Sequence, residues 1–321
     1  MAAKFAKRAY YKTLPYSAYK FENNPHFTPK GEKKALKTID SSNKNIVQRT
    51  YIVPTKDNST VAVYTYESTI RNRESSSLVF FIHGGGWAAC NWNFYHHYCK
   101  HLASVLDAVI VSADYRVAPD FKYPIPIQDC YSVLEWIGKA TEFWQIDRDR
   151  IYLYGESSGA NLCIATARLA RESRKVSIAG QILVTPITDA RLQTESHNRY
   201  ANTPTITREK LRKYLNNYIH EDKDVFNPDI SPLLSNTNFL LPKTFVISAE
   251  CDPLHDDADL FAKTLLDAKV ECLYYEAPEV YHDFIFSKKA PCIKEIEKLM
   301  NLFILGTPIE RMLQTNHAFL K

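Results

Sequence analysis

Short apolar segments recur along the chain, and their patterns predict two kinds of strand. Two early segments, 46–53 and 59–67, alternate apolar and polar residues, which is typical of antiparallel strands with one covered face. Later segments are continuously apolar, as expected for strands buried on both faces of a sheet. These buried strands are predicted at 77–83, 108–114, 150–155, 179–185, 243–249 and 271–277.

Segments with apolar residues at helical spacing separate the buried strands. In 126–141, Ile127, Cys130, Leu134 and Ile137 fall on one helical face. Other helices are predicted at 92–106, 158–172, 254–268 and 292–304. Because strands and helices alternate, we expect an α/β fold in which a mostly parallel central sheet is flanked by helices.

The alternation stops at residues 187–242, which contain no strand candidate between two predicted strands. An insertion at this point lies at the carboxyl ends of the strands, where ligand crevices open in α/β sheets. We therefore expect a helical cap over a site, with one helix at 208–219. Residues 46–321 are predicted to form one domain that carries this insertion.

Residues 1–45 differ from the rest in charge. They contain ten lysines and arginines against three acids, a surplus of +7 in a chain whose net charge is +4. A basic arm can contact anionic membranes or nucleic acid, although a solvated extension of short helices and loop is the simpler interpretation.

Composition narrows the class of protein. The chain is 45% apolar and 24% charged, typical of a globular protein, and its net charge is too small to predict nucleic-acid binding. Seven cysteines, an odd number without a CxxC pair, favour a reducing compartment, and we expect a cytoplasmic protein. The sequence shows neither the apolar core of a signal peptide nor about 18 consecutive apolar residues, so stable membrane insertion is not expected.

The first chemical motif is Gly155-Glu156-Ser157-Ser158-Gly159. This G-x-S-x-G pattern lies between a predicted strand and a predicted helix, where such a turn presents a serine as a nucleophile. The flanking glycines allow the close approach of strand and helix. The amides at the start of the helix can stabilise an oxyanion.

The second motif is His83-Gly84-Gly85-Gly86-Trp87, directly after a predicted buried strand. Three of the nine glycines of the chain are consecutive here. A glycine run lets backbone amides approach a ligand, which makes the segment the expected second half of an oxyanion hole.

With these motifs in this order, the sequence resembles the hormone-sensitive-lipase family of α/β-hydrolases, which includes bacterial acetyl esterases and arylacetamide deacetylases. The resemblance covers about residues 75–300 and includes the segments DYRVAP (114–119), DPLHDDA (252–258) and HDF (282–284). It implies the α/β-hydrolase fold and the hydrolysis of small esters, without metal or cofactor. A homodimer is also consistent with it.

The resemblance also assigns roles by matching positions. Ser157 corresponds to the nucleophile, Asp252 to the triad acid and His282 to the base. Expected oxyanion donors are the amides of Gly84, Gly85 and Ser158. In the resembling family the N-terminal region folds onto the cap and helps shape the pocket, so residues 1–45 are expected to contribute to the cap. Expected substrate contacts are Trp87 and, from this extension, Tyr16, Tyr19, Phe21 and Phe27.

The sequence departs from the family pattern at the turn that carries Ser157, the nucleophile elbow of residues 155–160. Glu156 stands where the family has Asp, Ser158 where it has Ala, and Ala160 where it often has Gly. None of these changes removes a triad member. The hydroxyl of Ser158 is expected to alter local packing or water.

Other residues compete for some roles. Glu250, Asp256 and Asp257 lie near Asp252 and are interpreted as acids of a first helical turn. His97 and His101 have an i,i+4 spacing that zinc sites use, but no Glu lies between them in the HExxH position. They are therefore interpreted as surface or half-buried histidines of a helix.

Two further residue assignments concern structure. His83 is expected to orient the glycine loop through hydrogen bonds, without proton transfer. Asp114 and Arg116 are expected to pair with each other and hold the loop after a strand.

Three functions remain open from the sequence. The first is an esterase for short acyl chains, and the second is an amidase or aryl formamidase that uses the same triad. The third is a non-catalytic ligand receptor, since plant gibberellin receptors share this fold. His282 disfavours the receptor, because those receptors lost the histidine.

Overall fold

The chain is described by a computed structural model that covers residues 38–39, 45–71, 76–287 and 289–315. The predicted substrate contacts Tyr16, Tyr19, Phe21 and Phe27 lie outside the described residues. Within the N-terminal extension, Thr38–Ile39 forms a two-residue strand, whereas short helices and loop were predicted there. Its backbone pairs with Gln48 and Val47 and so extends the sheet edge.

Nine strands form one sheet in the described part of the chain. They are β1 (Thr38–Ile39), β2 (Ile46–Pro54), β3 (Thr60–Ser68), β4 (Leu78–Ile82), β5 (Val109–Asp114), β6 (Ile151–Glu156), β7 (Gly180–Val184), β8 (Thr244–Ala249) and β9 (Cys272–Ala277). Their order in the sheet is β1-β2-β3-β5-β4-β6-β7-β8-β9. The pairings β1–β2, β2–β3 and β3–β5 are antiparallel, and every pairing from β5 to β9 is parallel. The predicted mostly parallel sheet is confirmed.

Helices cover both faces of this sheet. They are α1 (Trp92–Val105), α2 (Ile125–Trp144), α3 (Ser158–Ser173), α4 (Glu195–Arg199), α5 (Arg208–Tyr218), α6 (His255–Asp267), α7 (Ile293–Ile304) and α8 (Ile309–Thr315). Apolar residues of α2, α3 and α6 share one core, while those of α1, α7 and α8 share another. Strand β4 shows why there are two cores: Phe80 belongs to the first and Phe81 to the second, since successive side chains point to opposite faces.

The predicted cap segment lies between β7 and β8. It contains α4, α5 and three short 3-10 turns, at Asp222–Phe226, Pro232–Leu234 and Asn238–Leu240. Its one described β-pairing is an isolated bridge between Asn202 and Thr207. The polar helix α5 is preceded by an N-cap residue, Thr207, whose side chain accepts a hydrogen bond from the Lys210 amide.

No helix in the part of the chain that the structure describes has the length and apolarity needed to cross a bilayer.

Candidate active site

Ser157 lies in the tight turn between β6 and α3. Its φ of 54° and ψ of −123° are strained for a non-glycine residue and hold the side chain above the sheet. The turn depends on its two glycines. A Cβ on Gly155 would lie 2.4 Å from the carbonyl oxygen of Gly159, and a Cβ on Gly159 would lie 2.1 Å from that of Ile82. The sequence predicted this elbow, and the structure has it.

Ser157, His282 and Asp252 form a continuous hydrogen-bonded row. The Nε2 atom of His282 lies 3.0 Å from the Ser157 Oγ, and its Nδ1 atom lies 2.7 Å from the Asp252 Oδ2. The other oxygen of Asp252 accepts a hydrogen bond of 3.0 Å from the Leu254 amide, which fixes the carboxylate. All three side chains are buried. The structure thus brings together the three residues that the resemblance assigned to the triad.

Two neighbouring parallel strands deliver the acid and the histidine. Asp252 follows β8 and His282 follows β9, so both lie at the carboxyl edge of the sheet. The segments after these strands are linked by hydrogen bonds from the Glu250 amide to the Ala277 carbonyl and from the Cys251 amide to the Val280 carbonyl, each 3.0 Å. Residues far apart in sequence are therefore held together by backbone geometry.

Asp252 changes the proton affinity of His282. Burial works against a charged imidazole, but the adjacent Asp252 carboxylate outweighs it, and the pKa of His282 rises to about 9. Asp283 and Glu156 act in the same direction. The site therefore stabilises an imidazolium, the species that forms when a histidine takes a proton from a serine.

The glycine loop, Gly84–Gly86, differs from the prediction at Gly84. The Gly84 amide donates a 2.8 Å hydrogen bond to Glu156 Oε1, so the prediction that it serves as an oxyanion donor is wrong. Gly85 and Gly86 line the cavity beside Ser157 instead. Their φ angles of 106° and 62° belong to the left-handed region, which favours glycine.

Trp87 does not line this cavity. Its indole is 1% exposed and stacks on Tyr218 with ring centroids 4.5 Å apart. The predicted substrate contact is therefore wrong, because the ring is used to pack the end of the glycine loop against the cap. The Trp87 amide donates to the Ser158 hydroxyl at 3.1 Å. The departure at Ser158 thus ties the elbow to the glycine loop, while its own amide stays at the start of α3.

Glu156 holds the same two segments together. Besides the Gly84 amide, its Oε1 accepts a 2.7 Å hydrogen bond from the Tyr95 hydroxyl. The side chain is buried, and burial raises the pKa of its carboxyl group. Sequence reasoning noted Glu156 only as a departure from the family. Its position beside Ser157 was the available signal for a role in shaping the site.

A cavity of about 420 Å³ opens above Ser157 and His282. Its wall combines the glycine loop, aromatic side chains and the cap helix α5. Besides Gly85, Gly86, Glu156, Ser157 and His282, the lining residues are Phe94, Tyr95, Thr205, Ile206, Lys210, Tyr214, Asp283, Phe286 and Ser287. Sequence reasoning found none of the cap residues, because nothing in the periodicity of α5 shows what it faces.

The competing acids have other partners. Asp256 accepts a hydrogen bond from the Ser196 amide at 2.8 Å. The buried Asp257 accepts from the Thr188 and Asp189 amides at 3.0 and 2.9 Å. Both lie in the first turn of α6 as predicted, and they fasten the cap segment to the domain. Glu250 lies before α6, so its prediction as a first-turn acid is wrong.

His101, one of the two histidines considered for zinc, contacts an acid of another helix. Its Nε2 atom lies 2.6 Å from Glu297 Oε1, which links α1 to α7.

Arg116 forms ion pairs other than the predicted one. It pairs with Asp129 at 2.6 Å and with Asp57 at 2.7 Å, so its predicted pairing with Asp114 is wrong. The guanidinium follows Asp129 because that carboxylate, on α2, is buried and also accepts the Arg116 amide.

Comparison with known proteins places the chain among esterases. A family model described as the alpha/beta hydrolase fold matches residues 79–286. An arylesterase of Saccharolobus solfataricus is 31% identical over 236 residues, which cover 70% of this chain and 75% of that protein. The structure of a bacterial heroin esterase is similar with a TM-score of 0.78 and 26% identity, over 84% of this chain and 86% of that one.

One relative has a different kind of name. A gibberellin receptor of Arabidopsis thaliana is 31% identical over 211 residues, which cover 62% of this chain and 60% of the receptor. The family model still spans more than half of the chain, and the arylesterase match covers more than two thirds of it. The chain therefore belongs to the α/β-hydrolase family, in its hormone-sensitive-lipase-like group of carboxylesterases.

Proposed function

We propose that the chain hydrolyses carboxylic esters with short acyl groups, through an acyl-enzyme on Ser157. The observation that carries the proposal is the row of hydrogen bonds from Ser157 through His282 to Asp252, at 3.0 and 2.7 Å, on the floor of a cavity. A serine hydroxyl is a weak nucleophile until a base takes its proton, and this row supplies the base and the acid that orients it.

In the proposed reaction, Ser157 Oγ attacks the ester carbonyl while His282 Nε2 takes its proton. The tetrahedral oxyanion accepts hydrogen bonds from the amides of Gly85, Gly86 and Ser158. His282 then gives its proton to the departing alkoxide, and the alcohol leaves. Water, deprotonated by His282, attacks the acyl-enzyme, and the acid is released as Ser157 recovers its proton.

The size of the cavity supports a short acyl group. A volume of about 420 Å³ lies near the lower end of the roughly 300–1,000 Å³ that small-molecule sites occupy. Phe94 and Phe286 lie edge to face with centroids 4.8 Å apart and narrow one side. Tyr214 of α5 narrows the other, since its ring occupies the space next to Gly86.

The test is hydrolysis of p-nitrophenyl esters from C2 to C12 by the wild-type protein and by Ser157→Ala. We expect the highest kcat/KM at C2 to C4, and a loss of at least about 10³-fold in Ser157→Ala. Ser287→Ala is the control, because Ser287 lines the same cavity without touching the triad row. Full activity in Ser157→Ala would refute the proposal.

Two alternatives make different predictions in the same assay. An amidase or aryl formamidase would use the same residues but turn over formamide analogues faster than esters. A receptor, the alternative that the gibberellin-receptor relative raises, would bind an ester without turnover. Wild-type hydrolysis that is lost in Ser157→Ala excludes the receptor, and the ratio of ester to formamide turnover separates the two hydrolases.

A further inference from the structure

A second group of reactive side chains lies behind the glycine loop, outside the cavity. Among the residues that the structure describes, His83, Cys90 and Asp114 are the group whose nitrogen, sulfur and oxygen atoms all lie within 4.8 Å of one another. His83 and Asp114 are buried, and Cys90 is half-buried. The triad mechanism uses none of these three side chains.

The fold explains why these residues meet. His83 follows β4 and Asp114 ends β5, and the parallel pairing of Phe81 with Ser112 places their continuations side by side. The loop that leaves His83 then turns back, because the Ala89 amide donates to the Gly85 carbonyl at 3.0 Å. This turn brings the chain back toward His83 and places Cys90 beside His83 and Asp114.

The His83 ring is already oriented as a ligand. Its Nδ1 atom lies 2.8 Å from the Gly84 carbonyl oxygen, which only accepts, so Nδ1 carries the proton and Nε2 carries the lone pair. Metal-binding histidines commonly donate their second nitrogen to a backbone carbonyl in this way. Stacking on Tyr115, with centroids 4.2 Å apart and planes within 12°, holds the ring.

We propose that His83, Cys90 and Asp114 bind a zinc ion. Imidazole, thiolate and carboxylate are the three ligand types that zinc takes in proteins, and three ligands leave a fourth tetrahedral position for water. On binding, the zinc ion replaces the proton of the Cys90 thiol, which is released to solvent.

Two of the proposed zinc ligands flank the glycine loop, which carries the proposed oxyanion amides. Gly85 and Gly86 are between the ligands His83 and Cys90, so a metal ion joins the two ends of the segment that carries these amides. Zinc would act on the loop from behind, without entering the cavity, and would bind irrespective of any ester in the site.

Cobalt titration of the full-length protein tests the proposal, because a cobalt–thiolate bond gives an intense near-ultraviolet band. We expect one equivalent of Co²⁺ to produce this band and Zn²⁺ to displace it. Cys90→Ser abolishes the band, and Asp114→Asn weakens zinc affinity by at least about tenfold. Cys251→Ser is the matched control, since Cys251 is also half-buried and lies outside the group. It keeps the band.

Absence of the band in the wild-type protein overturns the proposal, as does its persistence in Cys90→Ser. A second measurement needs no variant: Zn²⁺ raises the Tm of the wild-type protein if it binds the folded chain. Neither readout depends on ester turnover, so failure of the zinc site and failure of the proposed hydrolysis are separate results.

Discussion

At the residue scale, the proposed mechanism makes the reactivity of Ser157 depend on the charge of His282. The imidazole must be neutral to act as a base, and Asp252 raises its pKa to about 9. Below that pH we expect kcat/KM for p-nitrophenyl acetate to fall by about tenfold per unit, as for one required deprotonation. In Asp252→Asn the acid limb of the pH profile moves to lower pH, because the negative charge that raises the pKa of His282 is gone. The kcat/KM on the plateau above this limb drops by about 10⁴-fold, because the ring loses its orientation.

The pH profile is measured with the Ser157→Ala rate subtracted, since the ester also hydrolyses spontaneously in alkaline solution. A wild-type limb that ends near the ordinary histidine pKa of about 6.5 would contradict the prediction. So would an unchanged limb in Asp252→Asn.

Glu156 supplies a second prediction at this scale. Replacing it with Ala leaves the Gly84 amide and the Tyr95 hydroxyl buried without this acceptor, which costs about 2–5 kcal/mol of unfolding free energy. Glu156→Gln keeps an acceptor oxygen and is expected to lose less than about 1.5 kcal/mol. We also expect kcat to fall in the Ala variant, because the glycine loop loses the hydrogen bond that holds Gly84.

Denaturant unfolding and kcat are measured for both variants and for Glu142→Ala. Glu142 is exposed and forms a surface ion pair with Arg148, so its loss changes little. Equal destabilisation by Ala and Gln at position 156 would show that charge, rather than hydrogen bonding, is what Glu156 contributes.

The residues that sequence reasoning found and missed differ in a physical way. Ser157 and His282 occupy positions that backbone geometry prescribes, one at a glycine-flanked turn and one after a late strand. Gly84 and Gly86 have the same residue type in the same run, so sequence does not show which amide is already used inside the protein. The Gly84 amide is used by its hydrogen bond to Glu156, a contact across 72 positions of the chain.

At the element scale, α6 fastens the cap segment to the domain through Asp257. One of its oxygens accepts the amides of Thr188 and Asp189, all of them buried. Asp257→Ala leaves both amides without this acceptor, and we expect a loss of about 2–5 kcal/mol in unfolding free energy. Asp259→Ala on the same helix removes only a solvent-facing pair with Lys263 and should cost less than about 1 kcal/mol.

Chemical denaturation of the two variants side by side measures this difference. Similar midpoints for Asp257→Ala and Asp259→Ala would show that the cap segment is held by other contacts. Asp257→Asn retains one carbonyl oxygen for the amides and is expected to fall between the wild-type and Ala variants.

Periodicity located the long elements well, because a buried strand or an amphipathic helix is determined by its own apolar pattern. The predicted strand 108–114 is Val109–Asp114 in the structure, and the predicted helix 208–219 is Arg208–Tyr218. Short elements such as Thr38–Ile39 have no periodicity of their own. They form because a neighbour offers hydrogen bonds, which a single segment does not reveal.

At the scale of the whole molecule, the sheet determines where the site is, and the segments above its edge determine the size of the cavity. The parallel strands β6, β8 and β9 have their carboxyl ends at one edge of the sheet, and this arrangement brings Ser157, Asp252 and His282 together. The cavity depends on how α5 and the segment after β9 approach that edge. Those approaches are set by side chains such as Tyr214 and Phe286, which only the folded chain brings opposite each other.

The acyl-chain preference should therefore change when one aromatic wall is removed. Phe286 lines the cavity and packs on Phe94 and Tyr98, with centroids 4.8 Å away from each. Phe286→Ala opens space for about two more methylene groups, and each buried methylene is worth about 0.8 kcal/mol. We expect the ratio of kcat/KM for the C8 ester to that for the C2 ester to rise by about tenfold.

The ratio is insensitive to how much of a variant is folded, because both esters are assayed on the same preparation. Phe239→Ala is the control: Phe239 is 58% exposed and lies outside the cavity lining, so the ratio should keep its wild-type value. If Phe286→Ala also leaves the ratio unchanged, the acyl group does not lie against this wall. The proposed short-chain preference would then have to come from the α5 side, where Tyr214→Ala makes the corresponding test.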